Sequence, residues 1–213
     1  MTRQSTSVYN QIREQIIRGE LAPASNLKEQ ELAEQFDASR NTIKKVLLML
    51  EKEGLVTIEL NKGAKVRSYS MEEVLEFLDL RSTLEGFIIR RAVPVISEEY
   101  IKQLEDILSI MEKHYENKEL VLYSKENQKF HNIIYEACPN KTSVKLTVSL
   151  KNQMAKYNTK TILVPGRNTQ SLQEHSAILM AVKARDSELA EILMRRHIDN
   201  VRKTFSENYS LLF

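Results

Sequence analysis

The residues from Leu27 to Arg67, LKEQELAEQFDASRNTIKKVLLMLEKEGLVTIELNKGAKVR, constrain the fold more tightly than any other stretch. Ile43, Val46, Leu47 and Leu50 recur at i, i+3, i+4 and i+7, which makes them one buried stripe of an amphipathic helix. Ser39 stands just before that helix as an N-cap, its hydroxyl able to accept from an otherwise unpaired amide, and Gly54 follows as the terminating glycine. Upstream, Leu27, Leu32, Ala33 and Phe36 mark a shorter apolar helix that stops at Asp37-Ala38. Downstream, Val56-Thr57-Ile58 pairs with Ala64-Lys65-Val66 across a turn at Asn61-Lys62-Gly63. Helix, turn, helix, hairpin is the order of a winged helix-turn-helix, whose second helix lies in the major groove of DNA.

The exposed side of that second helix is rich in donors. Arg40, Asn41, Thr42, Lys44 and Lys45 can all donate hydrogen bonds, and three of them are cationic. A basic helix surface by itself is usually a solvated face. Here it comes with a capped start, a short turn and a basic hairpin at the expected distance, and the combination points to double-stranded DNA. Arg40 and Asn41 are the side-chain types that pair with guanine and adenine edges. Lys62, Lys65 and Arg67 suit phosphate contacts, which position a protein without reading sequence.

Composition narrows the rest. A chain of 213 residues suits one large domain or two modest ones, and with 5 Gly and 4 Pro it should be mainly helical with few long loops. The net charge of +2 resides entirely before residue 69, where 11 Lys and Arg face 9 Asp and Glu. DNA binding would therefore depend on local placement of charge rather than on a bulk basic field. Cys138 is the single cysteine, so neither an internal disulfide nor a cysteine-based zinc site can form. No signal peptide is legible before Tyr9 and no apolar run is long enough to span a bilayer, so a cytoplasmic protein with no membrane partner is expected.

A first helix is expected from about Ser7 to Arg18, with Val8, Ile12, Ile16 and Ile17 inward. Beyond Arg67 the periodicity predicts helices over about 71–93, 98–117, 119–137, 143–161, 169–185 and 187–210. The fold class is thus mainly α, an N-terminal winged helix-turn-helix over 1–68 followed by an all-α bundle over 69–213. Three of the four histidines, His131, His175 and His197, fall on separate helices of that bundle, each beside its apolar stripe. Histidines meeting in a bundle core make a natural divalent-metal site; the alternative is three unrelated side chains, each satisfied by a local hydrogen bond. Asn127 lies four residues before His131 on the same helical face and could add an amide oxygen. Arg81, four residues before Glu85, is either half of a surface ion pair or a guanidinium turned inward to receive a carboxylate, and Arg167 and Tyr157 could serve similarly.

In these residues the chain resembles the GntR family of bacterial transcription regulators. YNQIREQIIRGELAP is similar to the family's opening helix and turn, LKEQELAEQFDASRNTIKKVLLMLEKEGLV to its helix-turn-helix, and Lys62-Gly63 with Val66 to its wing. The segments LRSTLEG, NQKFHNIIYEACPN, EHSAILMAV and DSELAEILMRRHI resemble the FCD type of effector domain found in the FadR-like subfamily. The resemblance implies DNA contacts from Ser39, Arg40, Asn41, Thr42, Lys44, Lys45, Lys62 and Gly63, with Asn41-Thr42 standing where the family usually has Thr-Pro. It implies a divalent metal at His131, His175 and His197, zinc first with nickel or manganese as alternatives, and Asn127 in the place of a family Asp. It also implies a small carboxylate effector held at the metal and by Arg81, and a homodimer that reads the half-sites of an operator. The expected protein is a ligand-responsive regulator of repressor type and not an enzyme. A metal-free pocket whose histidines bind the effector is the alternative, and a metal-dependent enzyme joined to a DNA module a more distant one. A purely architectural DNA binder with an unliganded bundle is a further one.

Overall fold

Two hydrophobic cores organise the chain, one in each of two compact units of a computed structural model that describes residues 3–59, 63–154, 157 and 160–212. The first unit comprises Met1–Ser70 with Lys151–Lys156, and the second Met71–Leu150 with Tyr157–Phe213.

In the first unit, α1 (Arg3–Arg18) and α3 (Arg40–Lys52) pack together, with α2 (Glu29–Gln35) laid against α3. Val8, Ile12 and Ile16 of α1 meet Ile43, Val46, Leu47 and Leu50 of α3, so the i, i+3, i+4, i+7 stripe is buried as its spacing requires. Ser39 Oγ accepts from the Thr42 amide at 3.1 Å and caps α3. Gly54 takes φ +74 just beyond the last turn, a left-handed conformation that costs a glycine little. Strands β1 (Asn26–Leu27), β2 (Val56–Glu59) and β3 (Gly63–Val66) form an antiparallel sheet in the order β1-β3-β2. The hairpin register is the expected one, Val56 opposite Val66 and Ile58 opposite Ala64.

Three expectations are corrected here. Helix α1 begins at Arg3 rather than Ser7. Leu27 belongs to a strand opposite Ala64 and not to the short helix, which starts at Glu29. The hairpin has gained that third strand because Leu27, 3% exposed, reaches the core through the sheet edge.

The described elements beyond Ser70 are helical: α4 (Met71–Ala92), α5 (Glu98–Glu116), α6 (Leu120–Ala137), α7 (Lys141–Gln153), whose last three residues count with the first unit, a 3-10 turn (Lys160–Leu163), α8 (Arg167–Lys183), α9 (Ser187–Glu207) and α10 (Tyr209–Leu212). Ser97 and Asp186 cap α5 and α9 through their side chains. The helix expected over 143–161 instead ends at Gln153, ahead of the 3-10 turn. Helices α4 and α9 lie side by side along much of their length, α5 packs on α6 and α8, and α8 packs on α9. Gly86 permits the first of these pairings, since a Cβ there would meet Arg195 Cγ at 2.7 Å. That approach brings α4, α6, α8 and α9 around one interior. Among the described residues no helix is long and apolar enough to cross a membrane.

Candidate functional site

Each of three helices turns one histidine into the interior of the second unit: His131 from α6, His175 from α8 and His197 from α9. None is more than 2% exposed. Every ring uses Nδ1 to reach an outer acceptor. His131 Nδ1 donates to Glu85 Oε2 at 2.7 Å, His197 Nδ1 to Glu174 Oε2 at 2.6 Å, and His175 Nδ1 to the carbonyl of Ser171 at 2.6 Å. Carboxylate and carbonyl oxygens only accept, so each of the three rings carries a proton on Nδ1. The inner faces of the rings converge: Nε2 of His131 and of His175 are 3.4 Å apart, and the three rings' ligand atoms all lie within 4.8 Å of one another.

This geometry fits a divalent cation. Two nitrogens bound tetrahedrally to zinc at their usual bond length lie about 3.4 Å apart. The outer carboxylates fix tautomer and ring orientation, as acceptors behind metal-bound histidines do. Burial, and then the positive potential of the neighbouring rings, hold the His175 and His197 imidazoles well below their ordinary pKa, which keeps the lone pairs available. Asn127 shares a face of α6 with His131, and its buried Oδ1 has no hydrogen-bond partner among the described residues.

The outer carboxylates are themselves held by cations. Arg81 Nε donates to Glu85 Oε1 at 2.5 Å, and Arg167 Nη2 donates to Glu174 Oε2 at 2.9 Å. Asn200 Nδ2 adds a bond to Glu174 Oε1 at 2.7 Å. Arg81 therefore lies inside the bundle, and its pair with Glu85 is buried. Burial works against the Arg81 charge, but the Glu85 carboxylate outweighs it and leaves the guanidinium pKa above its ordinary value. The Tyr135 phenol is pushed well above its ordinary pKa by burial, then by the Glu85 charge, so it stays neutral beside that carboxylate. Arg167 differs from Arg81: it is 4% exposed, and its Nε and Nη1 have no partner among the described residues. Tyr157 is buried and stacks edge-on against Phe205 with centroids 6.2 Å apart, about two helical turns beyond His197 on α9.

Sequence reasoning named Glu85 only as a partner for Arg81, and missed Glu174, Ser171 and Asn200. The Arg81–Glu85 spacing gave a signal for the first. For the others none existed, since Glu174 and Asn200 read as ordinary polar helix residues and Ser171 acts through its backbone.

The first unit presents a second candidate surface. Asn41, Lys44 and Lys45 are exposed along α3. Arg40 is exposed at its first position, where Nη2 donates to Gln30 Oε1 of α2 at 2.7 Å. Ser39 and Thr42 hydroxyls lie 2.9 Å apart and are engaged in the cap. Gly63 opens β3 at φ +87, Lys65 is half-buried in the same strand, and the Arg67 guanidinium lies 4.7 Å above the Tyr69 ring. Lys62, expected in the wing, lies outside the described residues.

Known proteins share both halves of this arrangement. Residues 4–66 match the model of the bacterial regulatory proteins of the gntR family, and residues 76–200 match the FCD domain. The chain is 25% identical over 205 residues to the HTH-type transcriptional repressor RspR of Escherichia coli K12, covering 94% of this chain and 90% of the relative. It is 24% identical over 200 residues to the gluconate operon transcriptional repressor of Bacillus subtilis 168, covering 92% and 82%. The solved structure of E. coli McbR/YncC superposes with a TM-score of 0.81 at 19% identity, covering 98% of this chain and 100% of that one, which shows a common fold. These families and relatives are transcription regulators and not enzymes. A gntR-type DNA-binding domain followed by an FCD domain, spanning nearly the whole sequence, places this chain in the GntR family of bacterial transcription regulators.

Proposed function

We propose that this regulator is a ligand-responsive repressor whose residues 1–68 read operator DNA and whose residues 69–213 bind a small carboxylate effector at a divalent metal. The observation that carries the effector half is the convergence of three buried imidazoles, their ligand atoms within 4.8 Å of one another, backed by Glu85, Glu174 and the Ser171 carbonyl. His131, His175 and His197 would hold the ion, with Asn127 beside them. Zinc is the first choice, since imidazole donors suit it well, and nickel or manganese are the alternatives. The bound ion would supply a positive, Lewis-acidic centre for an anionic oxygen. The protein's own residues do the rest. Glu85 and Glu174 orient the rings, Arg81 and Arg167 hold those carboxylates, and the buried interior keeps water from competing. Arg167 retains two unpartnered nitrogens that suit the effector's carboxylate. Tyr157 is proposed to contact the effector.

For the DNA half, Arg40 and Asn41 are proposed to read base edges. Lys44, Lys45, Lys62 and the wing backbone at Gly63 would contact phosphates, while Ser39 and Thr42 fix the helix start. The chain is proposed to act in the cytoplasm as a homodimer, because two copies related by a two-fold axis match a palindromic operator. An effector that binds better to one arrangement of the dimer shifts its population and so alters operator affinity.

The DNA assignment has a direct test. Binding sites selected from a random duplex pool define the operator. Arg40→Ala should then weaken binding to that duplex by about 1–3 kcal/mol and relax preference at one base pair per half-site. Unchanged affinity and preference would remove α3 as the reading helix.

A further inference from the structure

The ionised groups hydrogen-bonded into the histidine cluster already balance one another. Arg81 pairs with Glu85, Arg167 pairs with Glu174, and both carboxylates are committed to histidine Nδ1 protons. The three imidazoles enter as neutral donors. Asn127, on the same face of α6 as His131, offers only a neutral amide oxygen, buried and unpartnered among the described residues. Among the described residues the groups clustered to hold an ion are the three imidazoles, none of which carries negative charge. A divalent cation placed there leaves two positive charges uncompensated beside His175, which is 0% exposed. Burying charge without a counter-charge is costly. Arg167 shows a deficit of the same sign, because two nitrogens of a guanidinium that is 4% exposed have no acceptor among the described residues.

Resting on the metal-site reading above, we propose that metal and a small carboxylate occupy this histidine-lined interior as a linked pair, with the uncharged Asn127 making each depend on the other. The cation lacks protein charge to neutralise it, and the anion supplies that charge. The anion in turn finds its strongest partner only when the cation is bound. Linkage of this kind is reciprocal, so the factor by which the carboxylate raises metal affinity is the factor by which the metal raises carboxylate affinity. A dicarboxylate can offset both charges of the ion and a monocarboxylate only one, so the dicarboxylate gives the larger effect. The regulator then responds to carboxylate only where metal is available.

The test uses the full chain stripped of metal, with free zinc read by a fluorescent zinc competitor in the presence and absence of malonate or acetate. Malonate should raise affinity for free zinc by about tenfold or more, within the usual span of coupling between sites, and acetate by less. Asn127→Asp places the missing charge in the protein. That variant should bind zinc more tightly without any anion and gain less than about threefold from malonate. Equal zinc affinity with and without malonate in the parent chain overturns the linkage and leaves the metal site standing. The same malonate gain in Asn127→Asp as in the parent overturns the role of Asn127. Absence of zinc binding under every condition overturns the metal reading itself and the linkage with it. Should Asn127→Asp fail to fold, the malonate comparison on the parent chain still decides the linkage.

Discussion

Replacing Glu85 with alanine is expected to lower the stability of the helical unit by about 3–5 kcal/mol, read as a shift of the urea midpoint of the metal-free chain. The Glu85 side chain is 0% exposed and that of Arg81 9%, so the substitution leaves a buried guanidinium without its carboxylate. It also removes the acceptor of the His131 Nδ1 proton. The loss reflects an uncompensated buried charge rather than the net worth of the pair. Removing both partners with apolar replacements, Arg81→Met together with Glu85→Leu, should therefore restore much of the stability. The double variant should nevertheless bind metal poorly, because His131 is no longer held in its orientation. A loss below about 1 kcal/mol in Glu85→Ala would mean that the pair is not buried in solution, and the account of the site would have to change.

The second large effect concerns the metal. Protein purified without a metal-affinity column should carry close to one divalent ion per chain by elemental analysis, and His131→Ala/His175→Ala should carry none. Two of three imidazole donors are then missing, and neither the Asn127 amide nor water replaces them with comparable affinity. The same variant should lose the stabilisation that a small carboxylate gives the parent in thermal unfolding, since a ligand stabilises only the state it binds. His114 is a suitable control. It sits outside the cluster, half-buried on α5 with Nδ1 against Glu119 Oε2 at 2.7 Å, and His114→Ala should leave metal content unchanged.

What the sequence carried, and what it did not, follows from which interactions leave a periodic trace. Ile43, Val46, Leu47 and Leu50 repeat with the helical period, and Ser39 and Gly54 bracket them, so α3 was legible residue by residue. The hairpin was legible from its β-branched residues and its glycine. Strand β1 was not, because two residues cannot show alternation, and Leu27 looked like the first apolar position of the helix that follows. The start of α1 at Arg3 was hidden by a polar first turn with no apolar residue to mark it. The end of α7 at Gln153 carries neither glycine nor proline.

In the site, the three histidines were legible because each adjoins an apolar stripe. Their outer partners were not. Arg81 and Glu85 have the spacing of an ordinary surface ion pair, and only the packing of α4 on α9 at Gly86 makes that pair internal. Glu174 follows the same logic: its charge faces inward because His197 and Arg167 meet it there. The Ser171 contribution is a carbonyl, which any residue type supplies. Periodicity reports which face of a helix is apolar; the polar group that will find a partner on that face depends on helices elsewhere in the chain.

The account's central claim is that the histidine-lined interior controls DNA binding. Fluorescence anisotropy of the selected operator duplex, titrated with zinc-loaded protein in the presence and absence of a panel of small mono- and dicarboxylates, tests it most directly. At least one carboxylate should shift operator affinity by about fivefold or more, the lower end of usual allosteric coupling. That shift should vanish in His131→Ala/His175→Ala while the variant still binds the duplex. Identical binding curves across the whole panel, or an undiminished shift in the double variant, would contradict it.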